Sequence, residues 1–203
     1  MEQKLLSIYN SLLKKHGYQG WWPTNSRYHP KDYEHPYTQE EIFEISMGAI
    51  LTQNTSWKNV EKAINSLKEN NLSSPKKILD APIDMLAETI KSSGYYNQKA
   101  KKLKKFAKFF LENENKTPSR DSLLEIWGIG KETADSILLY AYKQPYFVID
   151  NYTKRIFNKF LNLNIEPYDE WQNLFHKSLQ KDYKIFNEFH ALIVAEGKTQ
   201  RYR

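Results

Sequence analysis

Apolar residues recur along almost the whole chain at the three- and four-residue spacing of a helix face, and this periodicity constrains the fold more than any other feature. In residues 2–15, Leu5, Ile8, Tyr9, Leu12 and Leu13 share one side of a helix. A loop rich in Pro, His, Tyr and Asn follows from Gly17 to Pro36. Thr38-Gln39-Glu40-Glu41 has the spacing of a capping box, in which a threonine and a glutamate three residues apart satisfy each other's backbone N–H groups. It opens a helix through Leu51. The same pattern predicts helices over 56–70, 75–91 with an interruption near Pro82, 97–112, 119–126 and 131–142. Three more span 151–161, 167–180 and 182–196. Tyr146-Phe147-Val148-Ile149 is β-like, but too short and solitary to found a sheet. The fold class is all-α.

A chain of 203 residues can bury a real core without disulfides or metals. It contains no cysteine, which excludes a disulfide framework, thiolate zinc sites and a cysteine-ligated iron–sulfur cluster. His16, His29, His35, His176 and His190 lack metal-ligand spacing and read as surface or packing residues. Neither metal nor cofactor is expected. Leu5-Leu6-Ser7-Ile8 is broken by a polar residue and followed by Lys14-Lys15, so no secretory leader is predicted. Nothing approaches the roughly 20 apolar residues that span a bilayer. A soluble intracellular protein without membrane contact is expected.

Thirty Lys and Arg against 24 Asp and Glu give a net charge of +6, a balance that suits polyanions. Five tryptophans and fourteen tyrosines offer faces that can stack on bases, although most aromatics simply fill core. Lys99, Lys101, Lys102, Lys104, Lys105 and Lys108 form the densest basic run, which reads equally as a solvated helix face.

Residues 123–155 carry the strongest signal. A short amphipathic helix leads to Gly128-Ile129-Gly130, and a second helix starts near Lys131. Two glycines two apart allow a tight turn with consecutive exposed N–H groups. With the N-terminus of the following helix, those amides suit a phosphate. Asp150 follows the apolar run Phe147-Val148-Ile149 and precedes the helix beginning Asn151-Tyr152-Thr153-Lys154-Arg155. An ordinary N-cap looks the same. A helix N-terminus also keeps a carboxylate ionised and fixes its direction, as a group facing developing positive charge requires.

Together these features resemble the helix-hairpin-helix glycosylase superfamily that includes endonuclease III. Its signature is a glycine hairpin, a helix, an apolar run and an aspartate about twenty residues beyond the hairpin; here Gly128, Gly130 and Asp150 match. Trp127 stands where proline is common. Leu51-Thr52-Gln53-Asn54-Thr55 is similar to the family's loop that enters the duplex, which implies that Gln53, with Asn54 beside it, fills the hole left by a flipped nucleotide. Ser93-Gly94-Tyr95-Tyr96-Asn97-Gln98-Lys99-Ala100 resembles the glycine turn before a basic helix. By that resemblance Gly94, Lys99, Lys131 and Thr133 join Gly128 and Gly130 on the DNA backbone. Trp21-Trp22-Pro23, the Thr-Gln-Asn-Thr loop, and Phe189-His190 through Lys198 are similar to the bacterial 3-methyladenine glycosylase subfamily. The likeness covers most of residues 18–198.

Two departures matter. Bifunctional members carry a Schiff-base lysine two residues after the second hairpin glycine, and Glu132 stands there, unable to form an imine. Lys131 is turned away by about 100°, one helical step. Endonuclease III also closes its C-terminus with an iron–sulfur cluster, so residues 189–203 must finish the fold by side-chain packing alone.

The resemblance implies two helical lobes, about 37–135 and about 1–36 with 136–203, and a cleft between them that takes a flipped base. It implies a cytoplasmic, nucleoid-associated bacterial monomer acting on double-stranded DNA with a damaged base. Asp150 then stabilises the oxocarbenium-like sugar. Trp21, Trp22 and Trp57, with Lys198, are the candidate base pocket, because aromatic faces recognise a cationic alkylpurine. The expected activity is monofunctional excision of alkylated purines, 3-methyladenine first. The alternatives are a glycosylase for oxidised pyrimidines or mismatched bases, and a non-enzymatic helix-hairpin-helix DNA-binding protein.

Overall fold

The computed structural model describes residues 1–113, 115–161, 163 and 165–199. Of the stretch 189–203, the part beyond Thr199 lies outside them. The regular elements among the described residues are all helical, and the only β pairing there is an isolated bridge between Thr24 and Arg27. Among them no helix is long and apolar enough to cross a membrane. The chain forms two compact units, Pro36–Ile137 and the combination of Met1–His35 with the chain from Leu138 onward.

The contiguous unit is built on α2 (Gln39–Leu51), which is buried from Phe43 to Leu51. The Thr38–Glu41 capping box starts it, with both reciprocal hydrogen bonds present. α3 (Trp57–Glu69) buries Val60, Ala63, Ile64 and Leu67 on one face. Ala81 and Pro82 separate α4 (Pro75–Asp80) from α5 (Ile83–Thr89), because proline cannot donate within a helix. A 3₁₀ turn, Lys91–Ser93, leads to α6 (Tyr96–Glu112), whose Phe106 and Phe110 pack on Phe43. α7 (Arg120–Leu124) and α8 (Lys131–Ser136) flank the glycine hairpin. Arg120 holds them together with a bidentate grip on buried Asp135, at 2.7 and 2.9 Å.

The helix expected over 131–142 is regular only to Ser136. Ile137–Ala141 is a π-helical turn in which every residue is buried. The wider turn gives Tyr140 a direction that a regular helix at the same point does not.

The second unit joins α1 (Glu2–His16) to α9 (Asn151–Leu161), α10 (Tyr168–Ser178) and α11 (Tyr183–Thr199). Its core is a cluster of rings, Phe147, Phe157, Phe175, Phe186 and Phe189. The β-like run is an extended buried segment without a partner strand. α10 supplies the missing partners from three residues one turn apart. Tyr168 Oη accepts from Ile149 N at 3.3 Å, Gln172 Nε2 donates to the Phe147 carbonyl at 2.8 Å, and His176 Nε2 accepts from Phe147 N at 2.9 Å. This fixes the segment that delivers Asp150.

Candidate active site

Asp150 ends the extended segment and caps α9. Its Oδ1 accepts from Thr153 N at 2.7 Å and from Thr153 Oγ1 at 2.9 Å. Its side chain keeps 14% of its exposure, and Oδ2 lies 3.6 Å from His190 Nε2. Burial pulls the carboxyl pKa up, but His190 and the two Thr153 donors outweigh it and leave the group below its ordinary value. The carboxylate is therefore ionised and aimed.

His190, expected to be a surface or packing residue, adjoins this carboxylate. Its Nδ1 is 2.6 Å from Tyr140 Oη. Burial, then Asp150 and Glu188, push the Tyr140 hydroxyl well above its usual pKa, so it stays protonated. The sequence offered one signal for His190: it is polar in the otherwise apolar run Phe189–Ile193. Tyr140 carried none.

An aromatic group adjoins them in the same unit. Trp22 packs edge-on against Tyr140 at 5.4 Å and beside Trp21 at 5.2 Å, and Tyr28 lies 5.9 Å from Trp21. Trp22 is buried, whereas Trp21 is half-buried and keeps some exposed surface. Lys198 Nζ sits 5.3 Å from the Trp21 ring centroid. Glu188 secures the loop bearing both tryptophans, accepting from Gln19 N and from Tyr33 Oη, each at 2.8 Å. At Gly197 a Cβ would overlap the Tyr152 ring, so glycine lets α11 lie directly on the first turn of α9. Arg155 donates to the Gly197 carbonyl at 2.6 Å.

The remaining candidates belong to the contiguous unit. Gly128 turns with φ 88°, and the Lys102 chain lies across it so closely that a Cβ would meet it at 2.6 Å. Gly130 caps α8 with open space where a Cβ would be, and Lys131 is exposed on the first turn. Gly94 has φ 68° and the same open space. Asn54 is exposed with φ 55°, and Trp57 opens α3, half-buried.

Three of the expected DNA contacts have side chains engaged within the unit. Gln53 does not project: its amide donates to the Gly128 carbonyl at 3.1 Å and to Thr133 Oγ1 at 2.9 Å, and accepts from Lys102 Nζ at 2.5 Å. The buried Thr133 hydroxyl is thereby engaged inside the unit. Lys99 is 1% exposed, and its Nζ donates to the Leu51 and Ser93 carbonyls, each at 2.7 Å. Burial, then Lys102, bring its pKa down to about 8. Gln53 and Lys99 share one reason: turn carbonyls that no helix satisfies need donors, and these side chains supply them. Among the described residues no cluster of three or more metal-ligating side chains occurs.

A sequence profile of the HhH-GPD superfamily base excision DNA repair proteins matches residues 47–181, and the chain belongs to that family of DNA glycosylases. A candidate DNA repair glycosylase of Methanocaldococcus jannaschii, MJ1434, is 45% identical over 97% of this chain and 88% of its own length. Endonuclease III of Thermotoga maritima is 27% identical over 75% of this chain and 72% of its own. Among solved structures, the Helicobacter pylori 3-methyladenine DNA glycosylase MagIII, bound to 1,N6-ethenoadenine, is similar at 31% identity. Its TM-score is 0.74, with 98% of this chain and 95% of that one covered.

Proposed function

We propose that the protein is a monofunctional DNA glycosylase that excises alkylated purines, 3-methyladenine first, from double-stranded DNA, as a monomer without metal or cofactor. The observation that carries this reading is the ionised Asp150 carboxylate, held by Thr153 and faced by His190 in the unit that also holds the Trp21–Trp22 pair. A carboxylate held in that way stabilises the sugar cation as the N-glycosidic bond breaks and orients the attacking water. An N3- or N7-alkylated purine is already cationic and leaves with little acid assistance. The likeness to MagIII supports the same substrate class.

The open space at Gly130 and Gly94, beside backbone amides, suits phosphate oxygens. Asn54 and Lys131 are the exposed side chains with which to meet the duplex. Glu132, exposed on α8 where bifunctional enzymes carry the imine-forming lysine, supports hydrolysis without strand cleavage.

One observation favours a second reading, a glycosylase for neutral oxidised or mismatched bases. Lys198 already puts a cation over Trp21, and a cationic base on the same face meets like charge. Base release from duplexes carrying 3-methyladenine, an oxidised pyrimidine or a mismatch separates the two readings. Borohydride treatment during the reaction is expected to trap no protein–DNA adduct. A strong adduct overturns the monofunctional assignment and points first to Lys198.

A further inference from the structure

We infer that His190, clamped from behind by Tyr140, is a positioning residue that directs the Oδ2 oxygen of Asp150 toward the reacting sugar. The inference rests on Asp150 being the carboxylate of the glycosylase reaction proposed above.

The two carboxylate oxygens have different surroundings. Oδ1 takes both hydrogen bonds of the cap, from the backbone and the hydroxyl of Thr153. One oxygen is all an N-cap needs. Rotation about the last side-chain bond of aspartate is broad, so the cap alone does not fix where Oδ2 points. His190 Nε2 is the group that faces it, at 3.6 Å, beyond hydrogen-bond length. Nε2 is fully buried and has no hydrogen-bond partner among the described residues. A buried donor left without a bond is costly and uncommon in a fold that has no use for it.

The rest of the ring is secured. Nδ1 lies 2.6 Å from Tyr140 Oη, and Tyr140 is itself 2% exposed on the π-helical turn with Trp22 against its edge. The chemistry is consistent in both charge states of the imidazole. In the neutral ring the facing carboxylate selects the tautomer with hydrogen on Nε2. Nδ1 then accepts, and the Tyr140 hydroxyl donates to it. In the protonated ring Nδ1–H donates to Tyr140 Oη, and that hydroxyl turns to the Asn187 carbonyl 3.4 Å away. Either way an N–H points at Asp150. The titratable groups around the carboxylate are His190 on α11 and Tyr140 on the π-helical turn. Glu188, also on α11, acts on Tyr140.

His190→Asn keeps a polar group near Nδ1 but loses the donor at Nε2, whereas His190→Gln retains a donor near Nε2. The test is a carbon-13 titration of the Asp150 carboxyl, assigned by its loss in Asp150→Asn, together with single-turnover base release and DNA affinity. In His190→Asn the Asp150 midpoint is expected to rise by about one pH unit, and base release at neutral pH to fall by about tenfold, the rate equivalent of one such unit, with DNA affinity unchanged. His190→Gln should recover most of both. Tyr140→Phe, which removes a single oxygen, should move both the same way by less.

An unchanged Asp150 titration and unchanged release in His190→Asn overturn the inference. If His190→Asn does not fold, the same result in Tyr140→Phe overturns it. Retention of base release by Asp150→Asn defeats the glycosylase assignment of Asp150 instead, and the carboxyl titration still reports whether His190 governs that group.

Discussion

Replacing Asp150 by asparagine separates two tasks that the carboxylate performs at once. As a helix cap, asparagine is as good as aspartate, and its Oδ1 can accept the same two bonds from Thr153. Capping should therefore cost no more than a few tenths of a kcal/mol, against about 1 kcal/mol for Asp150→Ala. As an electrostatic group it is not replaced. The amide puts its NH₂ toward the His190 N–H that faced Oδ2, so one of the two must turn away. Loss of a preorganised stabiliser of this kind costs about 10²–10³ in rate, roughly 3–4 kcal/mol.

The native carboxyl has a lowered pKa: burial raises it, but His190 and Thr153 together outweigh that effect. Its ionisation therefore stabilises the fold above the unfolded aspartate value of about 3.9, and that contribution is lost as pH falls through the lower folded value. The Tm difference between native protein and Asp150→Asn should be steady from pH 5 to 8, and close below about pH 4 as the linkage vanishes. Single-turnover base release, DNA binding by anisotropy and thermal melts across pH measure the three quantities. Release within a few-fold of native refutes the catalytic assignment. A melting difference that grows as pH falls refutes the electrostatic one.

Three further perturbations test the supporting structure. Gly197→Ala forces a Cβ into the Tyr152 ring and must displace the first turn of α9, so base release should fall more than DNA affinity, with a lower Tm; unchanged release means that α11 does not set the position of Asp150. Lys99→Met leaves the Leu51 and Ser93 carbonyls without their donor, at about 1–3 kcal/mol each. With the Lys99 ammonium engaged by those two carbonyls, the slope of log affinity against log salt should be unchanged; a loss near 0.9 restores a phosphate contact. The native protein should gain stability as pH rises from about 8 toward the unfolded lysine value near 10.4, since the folded state sheds this proton first, and Lys99→Met should lack that gain. Lys198→Met removes the cation over Trp21 and should raise release of cationic 3-methyladenine relative to neutral ethenoadenine, by up to about thirtyfold for a contact worth about 2 kcal/mol. An unchanged ratio means that Lys198 and the base do not share that face.

What the sequence disclosed followed from how local each signal was. The Thr38–Glu41 box, the break at Ala81–Pro82 and the Gly128 turn are decided within a few residues, and each is found where the pattern predicts it. Asp150 was legible for the same reason, since an apolar run and a helix start adjoin it. Tyr140 and His190 are ten and forty residues from Asp150 in opposite directions, and only the packing of α11 brings them together. The stripe Tyr168, Gln172, His176 was visible as a periodicity, but not the backbone of 147–149 that it serves. Lys99 is different, because its burial was readable. It stands four, seven and eleven residues before Leu103, Phe106 and Phe110, on the buried face of α6, whereas Lys101, Lys105 and Lys108 fall on other faces. In a run of six lysines the helical phase distinguishes the buried Lys99 from Lys101, Lys105 and Lys108, which meet solvent. The same phase, applied to α11, puts His190 four residues after Phe186 and three before Ile193, inside the protein and within reach of the carboxylate it faces.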